Sequence, residues 1–184
     1  MKKEAFLICV LLGLSTLAAA QNHEAAHTAG PDQRTLDQIE LQRQLAPIKS
    51  AQDLTEYLNR KLPDSPLNKL SPAARKRFIE SLRFNEKGLT TFQYTDLESE
   101  LSVSEIYQVL SLFGVQHYAA GIRGARISSP TDRLISNANF CAPYLAPALS
   151  QATPARGLCD HDNYQCIGRA TCESSGGRIC TSNC

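Results

Sequence analysis

A chain of 184 residues with 19 basic and 18 acidic side chains can bury one modest core and holds no charge surplus for a polyanion. Loss of Lys2, Lys3 and Glu4 with an N-terminal leader leaves 17 of each sign, a formal charge of zero. This balance argues against nucleic acid or an anionic membrane surface as the main partner, since both are bound mainly through excess Lys and Arg.

Residues 1–20 read as a bacterial secretory signal peptide: a basic start at Lys2 and Lys3, an apolar run over Ala5–Leu17, and small residues at Ala18, Ala19 and Ala20 for cleavage. The run is too short and wrongly flanked for a retained span, and no later stretch is long enough for one. Cys9 lies inside the apolar run, too early for a lipoprotein cysteine. The expected location is secreted or periplasmic, where disulfides are the default for the six remaining cysteines.

Residues 21–34 are polar and predict a fraying arm. Thr35 and Gln38 have capping-box spacing, and Leu36, Ile39, Leu41 and Leu45 predict a helix that stops before Pro47. Ser50 and Asp53 open a second helix carrying Leu54, Tyr57, Leu58 and Leu62, closed by Pro63 and Pro66. Ser71-Pro72 is the strongest start, a cap followed by proline at the first helical position, with Ala74, Phe78, Ile79 and Leu82 facing inward and an end near Gly88. Leu89–Tyr94 suits a short extended piece or the entry to a helix. Thr95 with Glu98, and Ser102 with Glu105, are two more capping boxes, the second followed by Ile106, Val109, Leu110 and Phe113 before Gly114. Residues 121–130 read as a loop and Asp132–Asn137 as a helical turn. No strand pattern of comparable quality is present.

The predicted fold class is mainly α: a signal peptide over 1–20, an arm over 21–34, a small helical bundle over 35–118, a linker over 119–158, and a disulfide-rich, loop-dominated module over 159–184. Cys141, Cys159, Cys166, Cys172, Cys180 and Cys184 are its cross-linking residues. Six cysteines allow 15 pairings, and spacing does not choose among them. Ser174-Ser175-Gly176-Gly177 reads as a turn between the third and fourth cysteines of the tail. Arg156, Arg169 and Arg178 balance Asp160, Asp162 and Glu173, unlike a cationic lytic peptide.

Four constellations bear on chemistry. His23-Glu24-Ala25-Ala26-His27 matches the HExxH pattern of zinc hydrolases, in which two histidines bind the metal and the glutamate activates water. Here it stands three residues after the cleavage point, Gln33 occupies the third-ligand position, and Met1 is the only methionine, so the match reads as fortuitous. His23 and His27 are weak metal candidates only. Cys159-Asp160-His161-Asp162 with Cys166 lacks paired CxxC spacing and reads as disulfide text with an exposed histidine. His117 at a helix end reads as a partly buried structural residue, and no GxSxG elbow supplies a serine nucleophile. Arg123, Arg126 and Arg133, without alternating aromatic residues, read as a solvated loop. No catalytic residue and no cofactor are expected.

The tail spacing C-x6-C-x5-C-x7-C-x3-C, with Asp162 and Tyr164 ahead of Cys166 and a Gly-containing loop before the closing cysteines, resembles the fulvocin C-related bacteriocin family. The helical text Leu70–Phe78 is similar in style to what precedes the tail in that family. The resemblance implies an exported, non-enzymatic, bacteriocin-like protein with a protein or receptor target outside the producing cell. The helical part would be a pro-region, with processing near Thr153–Gly157. The alternative is an intact periplasmic or secreted binding module, an inhibitor or assembly factor, with Cys141 bridged into the tail. A zinc hydrolase is the distant third reading.

Overall fold

The computed structural model describes residues 33–138 and 162–184. Four helix starts follow serine caps, at Ser50, Ser71, Ser102 and Ser129, whereas the Thr35–Gln38 spacing opens no helix because Thr35 already lies inside the first one. In α1 (Gln33–Leu45) the buried anchor is Ile39. In α2 (Ala51–Asn59) the Ser50 hydroxyl accepts from the Asp53 amide at 3.1 Å, and the Asp53 carboxylate accepts from the Lys49 amide at 2.9 Å. A 3-10 turn over Pro66–Lys69 leads to α3 (Pro72–Ser81), capped by the Ser71 hydroxyl on the Ala74 amide. α4 (Thr95–Glu100) has no side-chain cap, so Thr95 is already helical there. α5 (Val103–Ser111) carries the full Ser102–Glu105 box. The turn after it contains Gly114, whose φ of +69° and 2.6 Å approach of a built Cβ to the Arg43 Cα leave room only for glycine. A second 3-10 turn (Gln116–Gly121) and α6 (Pro130–Asn137) complete the helices among the described residues.

Four antiparallel strands overturn the expected mainly helical class with a loop-dominated tail. They are β1 (Arg83–Asn85), β2 (Gly88–Gln93), β3 (Asp162–Gly168) and β4 (Thr171–Cys180), in one sheet ordered β1-β2-β4-β3. The tail is thus half of a sheet whose other half lies between α3 and α4. Thr91, Phe92 and Gln93 pair with Cys180, Ile179 and Arg178. The third helix ends at Ser81, not near Gly88, because the chain turns into β1. The expected turn at Ser174–Gly177 lies inside β4. The hairpin reverses instead at Arg169-Ala170, between the paired Gly168 and Thr171, with Ala170 at φ +57°.

Both halves of the sheet close over one core. Phe78 of α3 meets Phe92 at 6.4 Å and Phe113 at 6.1 Å between ring centroids, and Phe92 meets Tyr118 at 6.3 Å, all edge-on. Such pairs add about 0.5–1.5 kcal/mol each beyond burial. From the tail, Ile179 enters this core at 1% exposure. The last residues are tied to β2 and its surroundings by side chains. The Thr181 hydroxyl (2.6 Å) and the Asn183 amide (2.9 Å) both donate to the Leu89 carbonyl. The Asn85 amide donates to the Asn183 carbonyl at 2.7 Å, and the Ser182 amide to the Tyr118 hydroxyl at 2.8 Å.

The 122–138 stretch is held by a buried carboxylate. Asp132, fully buried, accepts from the amides of Ser104, Ser128 and Ser129 at 2.7, 2.9 and 2.7 Å, and from the hydroxyls of Ser128 and Ser129. Bonds from Ser104, then from Ser128 and Ser129, hold the carboxyl well below the usual carboxylate range, against the opposite pull of burial. Its stabilisation is complete above the ordinary value of 3.8 and is lost as pH falls below it. Asp132→Asn therefore lowers the melting temperature at neutral pH by more than ~5 °C. The gap to the parent protein narrows as the melts are repeated in increasingly acid buffer.

Candidate functional site

The two edge strands of the sheet, β1 and β3, line the same cleft, and the β3–β4 register is irregular between Asp162 and Tyr164 and between Cys166 and Gly168. The cleft is about 560 Å3, bordered by Arg83, Phe84, Asn85 and Glu86 on one side and by Gln165, Cys166, Ile167, Gly168 and Arg169 on the other. Thr90 and Thr91 of β2 and Arg178 of β4 complete the lining. One bond spans the two sides of the floor: the Cys166 amide donates to the Thr91 hydroxyl at 2.8 Å. That bond brings a β3 backbone over β2, although β4 separates the two in strand order.

Three guanidinium groups give the cleft its character. Arg83 follows directly on α3, and its Nη1 donates to the carbonyls of Glu80 (2.8 Å) and Leu82 (2.9 Å), which fixes the side chain at the helix end. Arg178 Nη1 reaches Gln165 Oε1 at 3.3 Å across the β3–β4 pair. Arg169 projects from the hairpin turn, and its guanidinium has no bond to any described residue. None of the three forms an ion pair among the described residues. Asp162 and Glu173 of the tail do not line the cleft, and among the described lining residues only Glu86 is acidic. Asp162 instead feels Arg123 and Glu98, and burial pushes its carboxyl up.

Beneath this surface lie two disulfides, Cys166–Cys184 and Cys172–Cys180. The Sγ atoms of Cys166, Cys180 and Cys184 all lie within 4.8 Å of one another, so the bridges are neighbours. Bridged sulfur is not the thiolate that a metal binds, and this cluster acts as a cross-link under the cleft. Cys180 is fully buried and Cys184 is 6% exposed, whereas Cys166 and Cys172 are half-buried.

The other sequence candidates are distributed as follows. Cys141, Cys159 and His161 lie outside the described residues, as do His23, Glu24 and His27 of the HExxH match. His117 is 3% exposed and stacks on Tyr118 with ring centroids 4.3 Å apart. Within the basic loop group, Arg126 pairs with Glu105 at 3.6 Å. Arg83, Arg169 and Arg178 were not legible as a group, because Arg83 stands far from the tail in sequence and the two tail arginines read as part of a neutral text. Only the folding of the tail strands onto β2 assembles them.

No family model, curated protein or solved structure matches this chain.

The two bridges close loops with sequence separations of 18 and 8. Chain-entropy arguments give about 3 kcal/mol for the longer and about 2.5 kcal/mol for the shorter. Replacing both members of either bridge with alanine should lower the urea-unfolding free energy by roughly these amounts, with the Cys166/Cys184 pair costing more.

Proposed function

We propose that the protein is an exported, non-enzymatic binding protein that works as one intact unit and meets its target through the cleft between the sheet edges. The observation that carries this reading is the position of β4, which lies between β2 and β3 and sends Ile179 into the shared core. Release of the tail as a free module would withdraw that strand and expose Phe92, Leu89 and their neighbours. The paired cysteines fit the oxidising compartment to which the leader would deliver the chain. Among the described residues no helix is long and apolar enough to cross a membrane. The bacteriocin-like role implied by the tail's resemblance belongs to this reading as an action of the whole chain, without separation of a pro-region.

Intact mass spectrometry of the exported protein, with and without reductant, tests the reading. The expected product is one chain containing both the helical segments and Cys184. A released fragment beginning between Cys141 and Cys159, active against neighbouring cells without the helical part, would overturn it in favour of a precursor.

A further inference from the structure

We infer that the cleft is a binding site for a phosphate monoester, borne by a soluble compound or by a lipid headgroup. The inference rests on the intact-module reading, because β1, β2, β3 and β4 all contribute to the site. Among the described residues three arginines and one glutamate line it, a local formal charge of plus two in a chain that is otherwise nearly neutral. That charge matches a monoester, which carries about −1.5 to −2 at neutral pH. A carboxylate would satisfy half of it, and a phosphodiester likewise. Guanidinium groups suit phosphate further because each can donate two parallel N–H bonds to its oxygens.

Two of the three arginines are already oriented. Arg83 is held by the Glu80 and Leu82 carbonyls and Arg178 by Gln165, so little side-chain freedom remains to be lost when an anion arrives. Arg169, on the turn, has a guanidinium without a bond to any described residue and can close on the ligand. The Thr90 hydroxyl, which donates to the Arg83 carbonyl at 3.0 Å, keeps its lone pairs but has no further proton, so it does not compete as an anion donor. Beside the cations stand Phe84 and Ile167, the latter 57% exposed. They give an apolar wall for the ring or chain that bears the phosphate.

The test uses the oxidised full-length protein and phenyl phosphate, followed by calorimetry and by amide chemical shifts. Saturable binding is expected, with shifts on β1, β3 and the Arg169 turn, and none with phenol. Arg169→Gln, which removes no bond among the described residues, should weaken binding roughly tenfold. Arg133→Gln on α6 should leave it unchanged. Phosphatidylcholine vesicles with and without phosphatidic acid then separate the sources: retention on phosphatidic acid assigns a lipid headgroup, and its lack alongside phenyl phosphate binding assigns a soluble ester. Absence of saturable binding, equal affinities in the Arg169 and Arg133 variants, or equal competition by a single-stranded oligonucleotide would overturn the inference. If the chain proves intact but phenyl phosphate fails, the ligand class alone is wrong. A released tail would remove the site and the intact-module reading together.

Discussion

Almost everything in this molecule depends on the capture of the C-terminal strand by β2. β2 is buried along nearly its whole length and cannot be covered by the short β1 alone, which pairs with it only from Gly88 to Thr91. β4 takes the rest, through Thr91, Phe92 and Gln93. Past the end of the strand, Thr181 and Asn183 saturate one carbonyl, that of Leu89, with two side-chain donors. Gly88 allows this close approach, since its φ of +121° and the Asn183 side chain 3.3 Å from a built Cβ exclude other residues. A buried carbonyl left without partners would cost about 1–3 kcal/mol, so these last residues are structural.

The same capture creates the cleft. Pairing β4 with β2 places β3 on the outside, and the bond from the Cys166 amide to Thr91 draws it back over the sheet. Charges that cancel along the sequence are thereby sorted in space. Arg169 and Arg178 line one cleft with Arg83, while Asp162 falls near Arg123 and Glu98. The disulfides hold the hairpin rigid enough to keep that sorting, in a segment whose own apolar content would not.

The helical half was legible because helix ends are written in local chemistry. Ser50, Ser71 and the Ser102–Glu105 box each act within three residues, and each stands where its spacing predicts. The sheet was not legible, for two opposite reasons. β2 reads Gly-Leu-Thr-Thr-Phe-Gln and is buried on both faces, so it lacks the alternation that marks a half-exposed strand. β3 and β4 are polar and mostly exposed, and owe their form to cross-links and to the few contacts of Ile179 and Cys180. Their turn uses Arg169-Ala170, with alanine in the left-handed region where glycine or asparagine would have announced it. The HExxH match shows the converse: a pattern loud in text with no supporting sequence context.

Sequence distance sets the order in which this fold can form. The bonds from Thr181 and Asn183 to Leu89 join groups 92 and 94 positions apart, and the Asn85–Asn183 bond spans 98. Local helices can condense early, but the sheet must wait for the end of the chain and bear the entropy of closing a long loop. Until then β2 presents an unpaired edge and a partly uncovered apolar strand. A chain threaded outward from its N-terminus would thus emerge with its stickiest segment exposed for the whole time that the last ninety residues take to follow. The polar, cross-linked tail is the piece that ends this vulnerable interval.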